Sequence, residues 1–198
     1  MLPDGRVVEI WLTDAAAGPM RRVPEVEALA GLGLRGDRNA LGGGTWARYP
    51  DLEKQVTLID RDAVAAVAEE TGSELTAADT RRNLVTTGVD LPSLVGRWFT
   101  VGDVLLFGMK RCPPCTHLER LTGVRLVKAM ARRGGINAAV FAGGRIADGA
   151  GVRAVSDEEA AGRGAPVGAD RPVPRIVQPG VSPPARRSSG AGTPSPPA

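Results

Sequence analysis

Arg97-Trp98-Phe99-Thr100-Val101-Gly102-Asp103-Val104-Leu105-Leu106-Phe107-Gly108 is the stretch that decides the fold class. Two runs rich in aromatic, β-branched and aliphatic residues flank a Gly-Asp step, which predicts two strands joined by a tight connection. The second run delivers the chain to Arg111-Cys112-Pro113-Pro114-Cys115-Thr116-His117, seven residues that hold both cysteines and the only histidine of the protein.

Working outward, the same strand chemistry recurs. Arg6 to Leu12 alternates as a first strand, with Val7, Glu9 and Trp11 expected on one face and Val8, Ile10 and Leu12 on the other. Gln55 to Ile59, Arg81 to Gly88 and Ile136 to Phe141 read as further short strands, and Gly143-Gly144 turns the last toward Arg145-Ile146. Helices are few. Asp60 is placed to N-cap a helix from Arg61 to Thr71, with Val64, Val67 and Ala68 on one face and Gly72 as its stop. Another begins at or just after Cys115, and Val124 to Arg133 has apolar residues at helical spacing, basic residues in its last turn and Gly134 as its end. Leu91 to Gly96 is a turn or a single helical turn. Many short strands and few helices predict a mainly β (α+β) barrel or sandwich.

Gly31 to Gly44 is too rich in glycine for a helix; it is either a mobile surface loop or a loop whose backbone comes close to something else. Beyond Ser156 the composition shifts to Gly, Pro, Ser, Ala and Arg. Bulky apolar residues there are too sparse to offset ordering entropy, so residues 1–155 are expected to form the domain and 156–198 a disordered tail.

The chain is 42% hydrophobic and 24% charged, with aromatics at only 4%, so aliphatic packing must carry the core. Net charge is +3, but six of the 25 basic and four of the 22 acidic residues lie from Arg153 onward, leaving 19 and 18 before it. The domain is nearly neutral, with no basic run interleaved with aromatics, which argues against a nucleic-acid partner. The N-terminus lacks the basic and apolar regions of a signal peptide, and no apolar stretch approaches the roughly 20 residues of a membrane span. The expectation is a cytoplasmic protein with no membrane partner.

Chemistry concentrates in the cysteine stretch. A thiolate is a strong nucleophile and a soft metal ligand, and neighbouring cations favour it; Lys110 and Arg111 precede the pair. The two prolines stiffen the segment by fixing φ and biasing the residues before them toward extended backbone. Other readings stay open: cysteines that only pack in a turn, or a C-x-x-C redox pair, although the βαβ context of such motifs is missing. Three Cys or His ligands fall short of the usual four of structural zinc. Arg81, Arg82 and Asn83 at a strand start are either solvated edge residues or a phosphate grip, because guanidinium forks match phosphate oxygens and an amide both donates and accepts.

The ordered series Gly36-Asp37-Arg38, Val56-Thr57-Leu58-Ile59-Asp60, Arg82-Asn83-Leu84-Val85-Thr86-Thr87-Gly88, Leu94-Val95-Gly96-Arg97, Val101-Gly102-Asp103-Val104, Cys112-Pro113-Pro114-Cys115 and Arg133-Gly134-Gly135 closely resembles the MOSC domain, the family named for the C-terminal domain of molybdenum-cofactor sulfurase. The likeness spans roughly Gly5 to Val152 and implies a MOSC-type β-barrel of the small stand-alone type. It departs from small members at Asn39, where they often carry histidine.

The resemblance implies that Cys115, the second cysteine of the pair, is the catalytic residue and the molybdenum ligand, or else the carrier of sulfur. It also implies that Arg81 and Asn83 contact the molybdenum cofactor (molybdopterin), and Arg82 between them is expected to help anchor it. The expected activity is two-electron reduction of N-hydroxylated compounds to amines, with electrons from a separate reductase and a small-molecule substrate. The alternative is a sulfur carrier that forms a persulfide on Cys115 from a cysteine desulfurase. His117 either orients the site or relays a proton, or is satisfied by a backbone carbonyl. At the level of the family alone the resemblance also carries an association with pyridoxal phosphate.

Overall fold

The computed structural model describes residues 5–44 and 52–172. Its strands are β1 (Gly5–Leu12), β2 (Arg21–Val23), β3 (Glu25–Leu29), β4 (Gly33–Leu34), β5 (Val56–Asp60), β6 (Leu84–Thr87), β7 (Trp98–Val101), β8 (Val104–Arg111), β9 (Ile136–Ala142), β10 (Gly144–Ala147) and β11 (Gly151–Ala154). Helices are α1 (Arg61–Thr71), α2 (Ala77–Thr80), α3 (Thr116–Thr122), α4 (Leu126–Ala129) and α5 (Asp157–Gly162).

The hairpin that opened the sequence reading forms as expected: β7 and β8 pair antiparallel from Trp98 opposite Phe107 to Val101 opposite Val104. From it the sheet runs β11-β7-β8-β9-β5-β6-β1 and closes through β11 on β1, giving a barrel of 7 strands. Every neighbouring pair is antiparallel except β5 and β6, whose parallel pairing requires the crossover that α1 and α2 supply. A small satellite sheet, β10-β3-β4, flanks the barrel.

Three apolar clusters explain why the strands close this way. Inside the barrel pack Val7, Ile10, Leu58, Leu84, Phe99, Val101, Leu106 and Val140. Outside it, Ile59 and Val85 meet Val64, Val67, Leu118, Leu126 and Met130 beneath α1, α3 and α4. On another outer face Trp98, Leu105, Phe107 and Ala139 are covered by Ala160 and Ala165. Adjacent residues of β8 thus bury into opposite clusters, which is why its sequence is a continuous apolar run. Each large side chain withdrawn from water contributes about 1.5–3 kcal/mol.

The boundaries of α1 match the sequence reading. The Asp60 carboxylate accepts from the Asp62 and Ala63 N–H groups at 2.9 and 3.1 Å, a cap worth about 1 kcal/mol, and Gly72 ends the helix.

Three expectations are corrected. The faces of β1 do not alternate as the sequence suggests: a bulge between Val7 and Glu9 against β6 inserts a residue, so Val7 shares the barrel interior with Ile10 and Leu12, while Val8 and Trp11 pack outside. The helix expected over 124–133 shortens to α4, because Met130 turns inward to full burial and Gly134-Gly135 must then reach β5. Residues 156–172, assigned to the tail by composition, carry α5, whose Ser156 cap accepts from the Glu159 N–H at 3.1 Å and whose Ala160 is fully buried. The rest of the expected tail, 173–198, lies outside the described residues.

Candidate functional site

A cavity of about 380 Å³ opens at one end of the barrel, within the size range of small-molecule sites. Strand register builds one wall: Lys110 on β8 stands opposite Asn137 on β9, and Asn137 opposite Thr57 on β5, and all three side chains line the space. Arg38, Lys54, Arg81, Arg82 and Arg111 join them, so six of the described lining residues are Arg or Lys and none is Asp or Glu. Cys112, Cys115 and His117 complete the lining.

The cysteine loop is held from behind. Its Cys112 N–H donates to the Gly135 carbonyl at 2.8 Å. The buried Arg82 guanidinium donates to the carbonyls of Cys112 at 2.8 Å, Gly134 at 2.9 Å and Thr80 at 3.0 Å, fastening the loop to the end of α2. Gly134-Gly135 lies against backbone that leaves no room for a side chain: a Cβ on Gly135, whose φ is +83°, would stand 1.8 Å from the Leu58 carbonyl oxygen. After the two prolines, Cys115 is extended (φ −129°, ψ 162°) as the N-cap of α3, and its carbonyl accepts from the Leu118 N–H at 2.9 Å. Both thiols are free, with Cys115 exposed and Cys112 half-buried. Nε2 of His117, which lines the cavity, is buried with no hydrogen-bond partner among the described residues, so no backbone carbonyl satisfies that atom.

Arg81 is the only described non-glycine residue at positive φ (58°), a conformation that costs about 1–2 kcal/mol. Two sets of bonds hold it there: its guanidinium donates to the carbonyls of Gly18 at 2.8 Å and Ala16 at 2.9 Å, and its own carbonyl accepts from Arg38 at 3.2 Å. Arg81 therefore pins the turn between β1 and β2 at the cavity edge.

Asn83 does not line the cavity. Fully buried behind its wall, it spends its amide within the protein: Oδ1 accepts from the Thr57 N–H at 3.2 Å and hydroxyl at 2.8 Å, while Nδ2 donates to the Trp11 carbonyl at 3.2 Å and to Asp37 at 2.9 Å. Asp37, also fully buried, accepts from the Asn39 N–H at 3.0 Å and lies 3.8 Å from Arg38. Asn83 thus aims Asp37, and Asp37 aims Arg38.

The charge balance is strained. Burial pushes the Arg38 guanidinium below the ordinary arginine range, Asp37 opposes this, Arg82 adds repulsion and the Cys112 thiolate form would relieve it. Burial and repulsion from Arg38 push Arg81 the same way, again opposed by Asp37. Three clustered guanidiniums against one buried carboxylate leave a surplus of positive charge that an anionic ligand would neutralise. Among the described residues no cluster of three His, Cys, Asp or Glu side chains is assembled for a bare metal ion. A metal reached by Cys115 would take its other ligands from a group bound in the cavity.

The structure thus brings Arg81, Arg82 and Cys115 around one space and sets Asn83 behind it. Sequence reasoning missed Arg38, Lys54, Thr57 and Asn137 as lining residues. Arg38 had a signal, since it lies within the glycine-rich loop in the Gly36-Asp37-Arg38 motif; Thr57 and Asn137 are brought in by strand register, and Lys54 by the turn that precedes β5.

Comparisons with known proteins agree with this architecture. The MOSC domain model matches residues 36–153. No curated protein sequence matches the chain. Among solved structures it is similar to the YuaD protein of Bacillus subtilis (TM-score 0.64, 15% identity, covering 75% of this chain and 94% of that one). It is also similar to YiiM of Escherichia coli (0.58, 18%, 83% and 80%) and YiiM of Geobacillus stearothermophilus (0.59, 16%, 77% and 75%). At these identities the likeness shows a shared fold, while the family model covers more than half of the sequence. The chain belongs to the MOSC domain family, which is associated with binding of the molybdenum cofactor.

Proposed function

We propose that the cavity binds the molybdenum cofactor and that the protein reduces N-hydroxylated compounds, such as hydroxylamines and amidoximes, to amines. The observation that carries this reading is one cavity lined by the buried Arg82, the half-buried Arg38 and Arg81, and the exposed Cys115. The donor set fits the group: a thiolate suits a soft metal already carrying sulfur ligands, and guanidinium forks suit a phosphate.

Cys115 would hold the metal through Sγ. Arg81 and Arg82 would pair with the phosphate, and Asn83, through Asp37, would keep Arg38 pointed at the same anion. The unpartnered His117 Nε2 offers a hydrogen bond to whatever occupies the space beside Cys115. When bound, the cofactor supplies the two-electron redox chemistry. The overall change breaks one N–O bond: the hydroxylamine takes up two electrons and two protons and yields the amine and water. No flavin or nicotinamide fingerprint is visible in the sequence, so a separate reductase supplies the electrons.

The test is turnover of benzamidoxime with chemically reduced methyl viologen. Altering a group that merely supports a metal ligand typically costs about 10–100-fold, so Cys115→Ala, which removes the ligand itself, should cost at least about 100-fold. Full activity and full cofactor content in that variant would contradict the assignment.

The exposure of Cys115 favours one second reading, a sulfur carrier open to a cysteine desulfurase. Mass spectrometry after incubation with such a donor decides it: one added sulfur on Cys115 in protein that binds no molybdenum would favour transfer.

A further inference from the structure

Cys112 and Cys115 line one cavity, yet the backbone between them holds them apart. Residues 112–115 run without turn or bend from the end of β8 to the start of α3. Each proline fixes its own φ and pushes the residue before it toward extended backbone, and Cys115 is itself extended. Such backbone advances about 3.1 Å per residue, so the two Cα atoms stand about 9 Å apart. A disulfide needs them within about 7 Å. Closing the gap would break contacts at both ends. Cys112 is held through its N–H by the Gly135 carbonyl and through its carbonyl by Arg82, each at 2.8 Å. Cys115 is held by α3: its carbonyl accepts from the Leu118 N–H, and Leu118 is buried in the outer cluster with Val64 and Met130.

We propose that Cys115 is a thiolation site for small anionic disulfides and that Cys112 does not resolve the product. The C-x-x-C stretch then holds two independent thiols and no dithiol couple. Cys115 is the exposed member of the pair. Six of the described residues lining its cavity are Arg or Lys and none is Asp or Glu, so the space gathers reagents that carry carboxylates. The buried Nε2 of His117, with no partner among the described residues, adds a polar atom for such a reagent. In the step, the Cys115 thiol loses its proton to solvent and its sulfur attacks one sulfur of the disulfide. The reagent's S–S bond breaks, a new one forms to Sγ of Cys115, and the other half leaves as a thiolate. The disulfide is the oxidant. With Cys112 out of reach, the adduct stays until an external thiol removes it, and while it stays Sγ of Cys115 is closed to any other ligand.

The experiment uses the full chain, reduced and free of cofactor, with oxidised glutathione as the anionic probe and cystamine as the cationic one. Peptide and intact-mass spectrometry should find glutathione retained on Cys115 and no species lighter than the reduced protein by two hydrogens. Cys112→Ser, checked for an equal thermal midpoint, should leave the lifetime of the adduct within about twofold of the parent, whereas loss of a resolving thiol would lengthen it about tenfold or more. Divided by their rates with N-acetylcysteine, oxidised glutathione should react at Cys115 at least about tenfold faster than cystamine at about 50 mM salt, and the gap should narrow at about 300 mM. A Cys112–Cys115 disulfide, glutathione on Cys112 instead of Cys115, a longer-lived adduct in Cys112→Ser, or equal rates for the two probes would overturn the proposal. These readouts involve neither molybdenum nor turnover, so failure of the reductase reading would leave them unchanged.

Discussion

Gly135→Ala should cost the protein roughly 4 kcal/mol or more and lower its thermal midpoint by about 10 °C or more, or prevent soluble folding altogether. Two penalties combine there. The residue sits at φ +83°, and the new methyl would stand 1.8 Å from the Leu58 carbonyl oxygen. That oxygen is backbone of β5, which pairs with β6 on one side and β9 on the other, so it cannot step aside without opening the barrel. Gly149→Ala separates the two causes: its φ is +84°, nearly the same, but nothing lies within 4 Å of the added carbon, so only the backbone penalty of about 1–2 kcal/mol should appear. Thermal denaturation of both variants followed by circular dichroism makes the comparison. Similar midpoints for the two would mean that the close approach of Gly135 to β5 is not what shapes this end of the barrel.

The second large effect is expected at Arg82. Arg82→Met keeps an apolar stem of similar length but leaves the carbonyls of Cys112, Gly134 and Thr80 without their donor. Unsatisfied buried groups cost about 1–3 kcal/mol each, partly offset because a buried guanidinium no longer needs desolvating, so a net loss of about 2–4 kcal/mol is expected. Retention of the cofactor should fall by more than about tenfold, since a charge-assisted phosphate contact is worth about 1.5–3 kcal/mol. Arg111→Met is the contrast. Arg111 lines the same cavity but is exposed and makes no side-chain hydrogen bond among the described residues, so its stability effect should stay within about 0.5 kcal/mol. Urea titration of the two variants reads the difference. A stable Arg82→Met protein that keeps its cofactor would show that the guanidinium neither holds the cysteine loop nor serves the site.

These residues also show how far the sequence could be read. Local chemistry was legible wherever a short-range rule acts alone: Asp60 capping α1, the Gly102-Asp103 connection, and Cys115 immediately before α3. The barrel followed from the ordered motifs that resemble the MOSC domain. What escaped reading depends on partners distant in the chain. The β1 bulge is set by pairing with β6, and no alternation rule on Arg6 to Leu12 reveals it. β2 and β3 lie in a segment too irregular in pattern to signal strands, and they are fixed by pairing with β1 and β10. Helix α5 carries a Ser156-x-x-Glu159 start signature, but the glycine- and proline-rich composition around it masked a helix that Trp98 and Phe107 recruit.

The same division holds at the site. Cys115, Arg81 and Arg82 stand out by residue type, and all three line the cavity. Asn83 stands out equally, yet its amide points away to organise Thr57 and Asp37, because sequence gives the polarity of a side chain and not its direction. Arg38, Lys54 and Asn137 become neighbours only when the loop before β5 and the β8-β9-β5 register are in place.

The cavity is proposed to hold a molybdenum cofactor through Cys115. Its most direct test is the molybdenum and pterin content of the protein purified from a host that makes the cofactor, beside the Cys115→Ala variant. Stoichiometric molybdenum and pterin are expected in the parent, with loss of the metal or an altered spectrum in the variant. Well-folded parent protein containing neither, from a host that loads a control enzyme, would contradict it.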